Sequence, residues 1–228
     1  MIYFPKSQPE PDDLKVERSK TNGTYRTDGV LNALTNDFFN KCYICEYKNP
    51  TTINIEHFVP HRDDSNLKLD WNNLFLGCAH CNNIKNANYD NILNCTDPLD
   101  QIENSISLSM SAPVFTKEVE VTPLIQNEKT LSTVELLQKV YNGTTTMKTI
   151  ESHYIREELV NDLLDFLKVL HKYYSVGTEE LKNYNKLLIN EHLHSSSSFT
   201  MFKRCIIKSD TKLMQEFGDT FVNYKPKG

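Results

Sequence analysis

Two Cys-x-x-Cys pairs, Cys42/Cys45 and Cys78/Cys81, constrain this chain more than any other feature. Four thiolates at such spacing hold a zinc ion in a closed tetrahedron with no open position for water, so the ion is structural. It closes the 32 residues 46–77 into a loop. Six cysteines also allow three disulfides, but Cys95 and Cys205 stand apart and Met1–Glu10 has no apolar signal-like core. Zinc thiolates therefore explain the pattern better, and a cytoplasmic location is the default expectation.

The loop carries the reactive side chains. Thr51 to Val59 reads as a strand with Glu56 and His57 near its end, and Pro60 stops it. A polar loop follows from Arg62 to Asp70, then a short structured piece from Trp71 to Leu76, and a helix from Asn82 onward. Phosphodiester hydrolysis needs a base to activate water and a fixed, open cation to take up developing charge. His57 suits the base, because imidazole titrates near neutral pH. Glu56 and Asn82 offer oxygen ligands suited to Mg2+ or a similar hard ion, with Asn86 as a rival to Asn82. Asn73 is placed to bond the loop backbone and fix the His57 ring. Adjacent strand residues face opposite ways, so Glu56 and His57 share a site only where the strand bulges or ends. His61 and His80 read as polar loop residues and Trp71 as core. Lys85 reads equally as a phosphate contact or an exposed lysine.

The 228 residues divide into an N-terminal arm at 1–28, a zinc-bearing core at 29–96 and a mostly helical region at 97–228 suited to partner docking. Pro5, Pro9 and Pro11 make the start extended rather than helical. A short helix opens at Asp28 or Gly29 and carries Val30, Leu31, Leu34 and Phe38. Ile106, Leu108 and Met110 alternate, as do Val119 and Val121, without an assignable partner. A capping box at Ser132 and Glu135 starts a helix that Gly143 ends. A long helix from about Met147 to Ser175 puts Ile150, Tyr154, Leu163, Leu167, Leu170 and Tyr174 on one face. Thr178 caps another with Leu181, Tyr184, Leu188 and His192. Phe199, Phe202 and Ile206 mark a further helix with Lys203 and Arg204 on its solvated side, and Ser209 or Asp210 caps a last one ending near Gly218. The fold class expected is α+β. No apolar run approaches the roughly 18 residues that span a bilayer. The formal charge of -5 departs from the basic excess of most nucleic-acid binders. Any basic surface must be local, or a partner must recruit the nucleic acid.

The Glu56-His57 pair before Pro60, the mid-motif Asn73 and Cys81-Asn82-x-x-Lys85 resemble the HNH nuclease motif on its ββα-metal fold. In members with a four-cysteine zinc, the resemblance makes Glu56 the metal-binding acid, His57 the general base, Asn73 the middle position and Asn82 the last. Glu replaces a common Asp, and Asn a common His. The flanks, Ile2–Pro11, Leu136–Thr144 and Ser198–Arg204, resemble the HNH nucleases encoded beside an ATPase in bacterial anti-phage systems, the Septu and retron-associated nucleases. That likeness implies a structural Zn2+, a catalytic Mg2+ or Mn2+, phage or host DNA as substrate, and an ABC/SMC-like ATPase as partner. A non-catalytic zinc module that binds a partner or nucleic acid, and an RNA-directed nuclease, are the competing readings.

Overall fold

A computed structural model describes residues 1–110 and 118–222. Two short helices open the chain, α1 at Asp12–Arg18 and α2 at Asp28–Asp37. Asp12 and Asp13 in the first turn of α1 suit the helix dipole. The Thr27 hydroxyl caps α2 by accepting from Val30 N. The two helices meet where Asp13 Oδ2 accepts from Gly29 N at 2.8 Å. A Cβ at position 29 would lie 2.4 Å from that oxygen, so a side chain there would push the Asp13 carboxylate aside.

Next come β1 at Ile53–His57, the single helical turn α3 at Ser65–Lys68, a 3-10 turn at Trp71–Asn73, β2 at Leu74–Cys78 and α4 at Ala79–Lys85. β1 and β2 pair antiparallel, with Ile53 opposite Cys78 and His57 opposite Leu74. With α4 following β2 directly, this is a ββα unit. The alternating stretches of the next segment pair with each other: α5 at Ile102–Ser105 leads into β3 at Ile106–Ser109, which pairs antiparallel with β4 at Glu120–Pro123.

The rest is helical: α6 at Glu128–Asn142, α7 at Thr146–Ser175, α8 at Glu179–Leu193, α9 at Thr200–Lys208, α10 at Thr211–Phe217 and α11 at Asp219–Val222. Asn127, Thr145, Thr178 and Asp210 cap α6, α7, α8 and α10. The helix expected to open at Ser132 thus starts earlier, because the Asn127 side chain takes Thr130 N at 2.8 Å. Gly143 ends it as expected, at φ 82°.

Four expectations are corrected. The N-terminal segment is not a surface arm. Met1, Ile2 and Phe4 are fully buried in one core that extends through Phe202, α1 is helical, and Trp71 Nε1 donates to Ser7 O at 2.9 Å. The buried face of α7 holds Ile155, Leu159, Leu163, Phe166, Leu170 and Tyr173, whereas Ile150, Tyr154 and Tyr174 are exposed. On α8, Asn185, Ile189 and Leu193 are buried, while Leu181 and Tyr184 point outward. Finally, Lys203 and Arg204 are not solvated. Lys203 pairs with Asp162 at 2.8 Å, and Arg204 with Glu103 at 2.7 Å.

The C-terminal region grips the first cysteine pair. Buried Lys41 donates to the Ser195 and Ser197 carbonyls at 2.8 and 2.7 Å, and Lys48 donates to Ser196 O at 2.9 Å. Tyr141 of α6 donates its hydroxyl proton to Cys45 O at 2.9 Å. The serine run, which looks like a mere break in sequence, is the strap over this knuckle.

Candidate metal centre and nuclease cleft

Cys42 and Cys45 lie on a turn after α2, while Cys78 ends β2 and Cys81 sits in the first turn of α4. Antiparallel pairing brings the strand end back to the turn, where Tyr43 N donates to Leu76 O at 2.9 Å. The four sulfurs lie within 4.8 Å of one another, with Cys45 and Cys78 at 3.9 Å. Zinc–sulfur bonds of about 2.3 Å in a tetrahedron set sulfurs about 3.8 Å apart, so the cluster fits that ion. All four cysteines are buried. Burial, with neighbouring sulfurs adding to it, pushes the Cys45 and Cys81 thiols up. A cation shared by the four would relieve that cost.

A cleft of about 460 Å³ is lined by Asn54, Ile55, Glu56, His57, Pro60, His61, Asn82, Asn86 and Ala87. Tyr25, Arg26 and Arg62 complete its wall. β1 ends at His57, so Glu56 and His57 border one cleft even though strand neighbours alternate.

The His57 ring is half-buried and its Nε2 lies 3.0 Å from Lys68 O. A carbonyl only accepts, so Nε2 carries the proton and Nδ1 is left as the basic nitrogen. Burial, with His61, Lys85 and Lys68 adding positive charge, lowers the His57 pKa despite that hydrogen bond. That shift favours the neutral ring, the form a base needs.

Asn73 builds the support for Lys68. Its amide accepts from Val59 N at 2.7 Å and donates to Val59 O at 2.9 Å and Leu67 O at 3.0 Å. The loop between β1 and the 3-10 turn is thereby clasped, and Lys68 O is presented to the ring. Asn73 is buried and does not line the cleft.

Glu56 is 4 % exposed. Its Oε1 accepts from Tyr43 Oη at 3.0 Å and pairs with Lys85 Nζ at 2.8 Å. Lys85 also donates to His57 O at 3.0 Å. Lys85 is thus neither exposed nor free for phosphate; its signal in the sequence is its place one helical turn after Asn82. Glu56 Oε2 is buried and has no hydrogen-bond partner. Burial raises the Glu56 pKa against the pull of Lys85. An orphaned carboxylate oxygen beside neutral amide oxygens is a donor set that fits a hard divalent cation. Asn86 already spends its Oδ1 on Asn88 N at 2.9 Å, whereas the Asn82 side chain lines the cleft with no hydrogen bond to another described residue.

His61 lies with its ring centroid 4.6 Å from that of His57 and lines the cleft. His80 does not belong there and is no loop residue. It sits in α4, pairs with Glu151 of α7 at 2.6 Å and contacts Val140 O of α6 at 2.8 Å, tying the second knuckle to the helices.

A two-stranded antiparallel sheet followed by a helix, with the cysteine cluster at one end and a cleft bordered by His57, Glu56 and Asn82, is the ββα-metal arrangement. The family model described as HNH endonuclease matches residues 42–88, and the chain carries an HNH endonuclease domain there. No curated protein and no solved structure matches.

Proposed function

We propose that this protein is a metal-dependent endonuclease that hydrolyses DNA phosphodiester bonds, with Zn2+ at Cys42, Cys45, Cys78 and Cys81 in a structural role. The observation that carries the reading is the cleft itself: His57, Glu56 and Asn82 border one opening, and Glu56, the one carboxylate among the described residues of its wall, has an oxygen without a partner among them. Glu56 and Asn82 are the residues that would hold Mg2+ or Mn2+. When bound, such an ion supplies the positive charge that the phosphate and leaving oxygen need. His57 Nδ1 takes a proton from the attacking water, while Lys68 O holds Nε2–H and stabilises the ring as it becomes cationic. Asn73 acts as a positioning residue through the loop backbone. Lys85 and Tyr43 hold the Glu56 carboxylate in place.

The cellular role we propose is that of the nuclease subunit of a bacterial anti-phage system acting with an ABC/SMC-like ATPase. Its support is the likeness of the flanking segments. These include Leu136–Thr144 and Ser198–Arg204, which here brace the cysteine knuckle. The region 97–228 is proposed as the docking part.

Supercoiled plasmid with Mg2+ or Mn2+, with and without the ATPase, tests the activity. The wild type should nick it, and His57→Ala should lower the rate by about 100-fold or more at unchanged zinc content. Undiminished nicking by His57→Ala rejects the assignment.

A further inference from the structure

The HNH segment does not close its own cleft. The connection between α1 and α2 supplies the remaining wall, with Tyr25 and Arg26. The Tyr25 ring is half-buried and stands edge-on to His57, with centroids 4.5 Å apart. Arg26 extends over the Tyr25 ring at 5.5 Å and is exposed. Among the described residues it has no carboxylate partner, whereas Arg62 across the opening is paired with Asp90 at 3.1 Å.

This connection is fixed rather than draped. Glu17 of α1 accepts from Thr24 N at 2.9 Å, and Thr24 Oγ1 accepts from Arg26 N at 3.1 Å. A Cβ at Gly23 would lie 2.1 Å from Glu17 O and 3.2 Å from Leu69 Cδ1. Arg18 donates to Leu69 O at 2.7 Å. The connection is thus packed on the residue that follows Lys68, whose carbonyl holds the base. The elements that position His57 also position Arg26.

The geometry points to the α1–α2 connection as part of the nuclease site: Arg26 takes a DNA backbone phosphate beside the scissile one, and Tyr25 is a positioning residue that holds the His57 ring. The inference rests on the nuclease reading. An exposed guanidinium on a held backbone, with no carboxylate partner among the described residues, suits bidentate phosphate contact. It also accounts for how a chain of charge -5 presents a local cationic edge: among the described residues lining the cleft the one acid, Glu56, pairs with Lys85. Tyr25 excludes solvent from one side of the imidazole.

The test is the salt dependence of duplex DNA binding by the zinc-loaded full chain in Ca2+, alongside plasmid nicking in Mg2+. Arg26→Gln should weaken binding and reduce the slope of log affinity against log salt by about 1, the value for one phosphate contact. Arg26→Lys, which keeps the charge, should retain the slope. Tyr25→Ala should lower kcat several-fold with KM little changed, and Tyr25→Phe should restore it. A wild type that nicks DNA while Arg26→Gln keeps the full slope overturns the inference and leaves the nuclease reading standing. A wild type that neither binds nor nicks overturns both.

Discussion

Glu56 and Lys85 form the pair on which the cleft turns. Both side chains are almost fully removed from water, at 2 % and 1 % exposure, and each leans on the other. Removing one charge of a buried pair leaves the other uncompensated, at a cost of about 3–5 kcal/mol. Lys85→Met should therefore lower the urea midpoint sharply. The double variant Lys85→Met/Glu56→Gln should recover much of the loss, since the isolated carboxylate is gone. Lys6 offers a pH signature of the same kind. Its ammonium is buried between the Trp71 and Leu74 carbonyls and over the Trp71 ring, and burial lowers its pKa to about 7 despite Asp37 and Asp70. The unfolded chain then binds more protons than the folded one between about pH 7 and the ordinary lysine range. Stability should rise across that window and be lost as pH falls through 7. Urea midpoints at pH 7 and 9.5 should show the rise in wild type, and Lys6→Met should flatten it. The candidate site residues were legible in sequence because Glu56 and His57 lie between the two cysteine pairs and Asn82 directly follows the last cysteine. The partnership of Glu56 with a lysine 29 positions on was not, since side-chain pairing across a fold has no local pattern.

At the scale of elements, the ββα unit is small, and its two strands of five residues each bury too little to stand alone. The cysteine cluster closes the loop, so Cys78→Ser should unfold the unit, at a cost of several kcal/mol, and not merely slow the enzyme. Zinc analysis and far-UV circular dichroism of purified Cys78→Ser, which should show metal loss and lost helix, check this. The helices α2, α4, α6, α7 and α8 were foreseeable from apolar spacing and from signals such as Thr178 and Gly143, whereas the caps at Thr27 and Asn127 were not. Their buried faces were less so. α7 carries apolar residues on more than one stripe, and α8 and α9 decide which stripe is covered. Ile150 and Tyr154 are as apolar as the residues that won. The N-terminal prolines likewise suggest an extended surface course, but Phe4 packs on Phe38 with centroids 5.0 Å apart, and tertiary packing prevails.

The whole molecule joins its N-terminal segment, the HNH unit and the C-terminal helices around the cysteine cluster. Met1, Phe75, Leu137 and Phe202 belong to one core, and Lys41, His80 and Tyr141 bridge the knuckles to distant segments. The HNH unit is thereby held by most of the chain, and Tyr25 and Arg26 of the N-terminal segment join its cleft wall. Among the described residues no helix is long and apolar enough to cross a membrane. The central claim is that the folded loop converges on one hydrated cation held by Glu56 and Asn82 beside the His57 base. Mn2+ titration of the zinc-loaded protein, read by electron paramagnetic resonance, measures that site directly. The account predicts one bound Mn2+ per chain, weakened by about 10-fold or more in Asn82→Ala and unchanged in Asn86→Ala. Mn2+ binding that is indifferent to Asn82→Ala would contradict it.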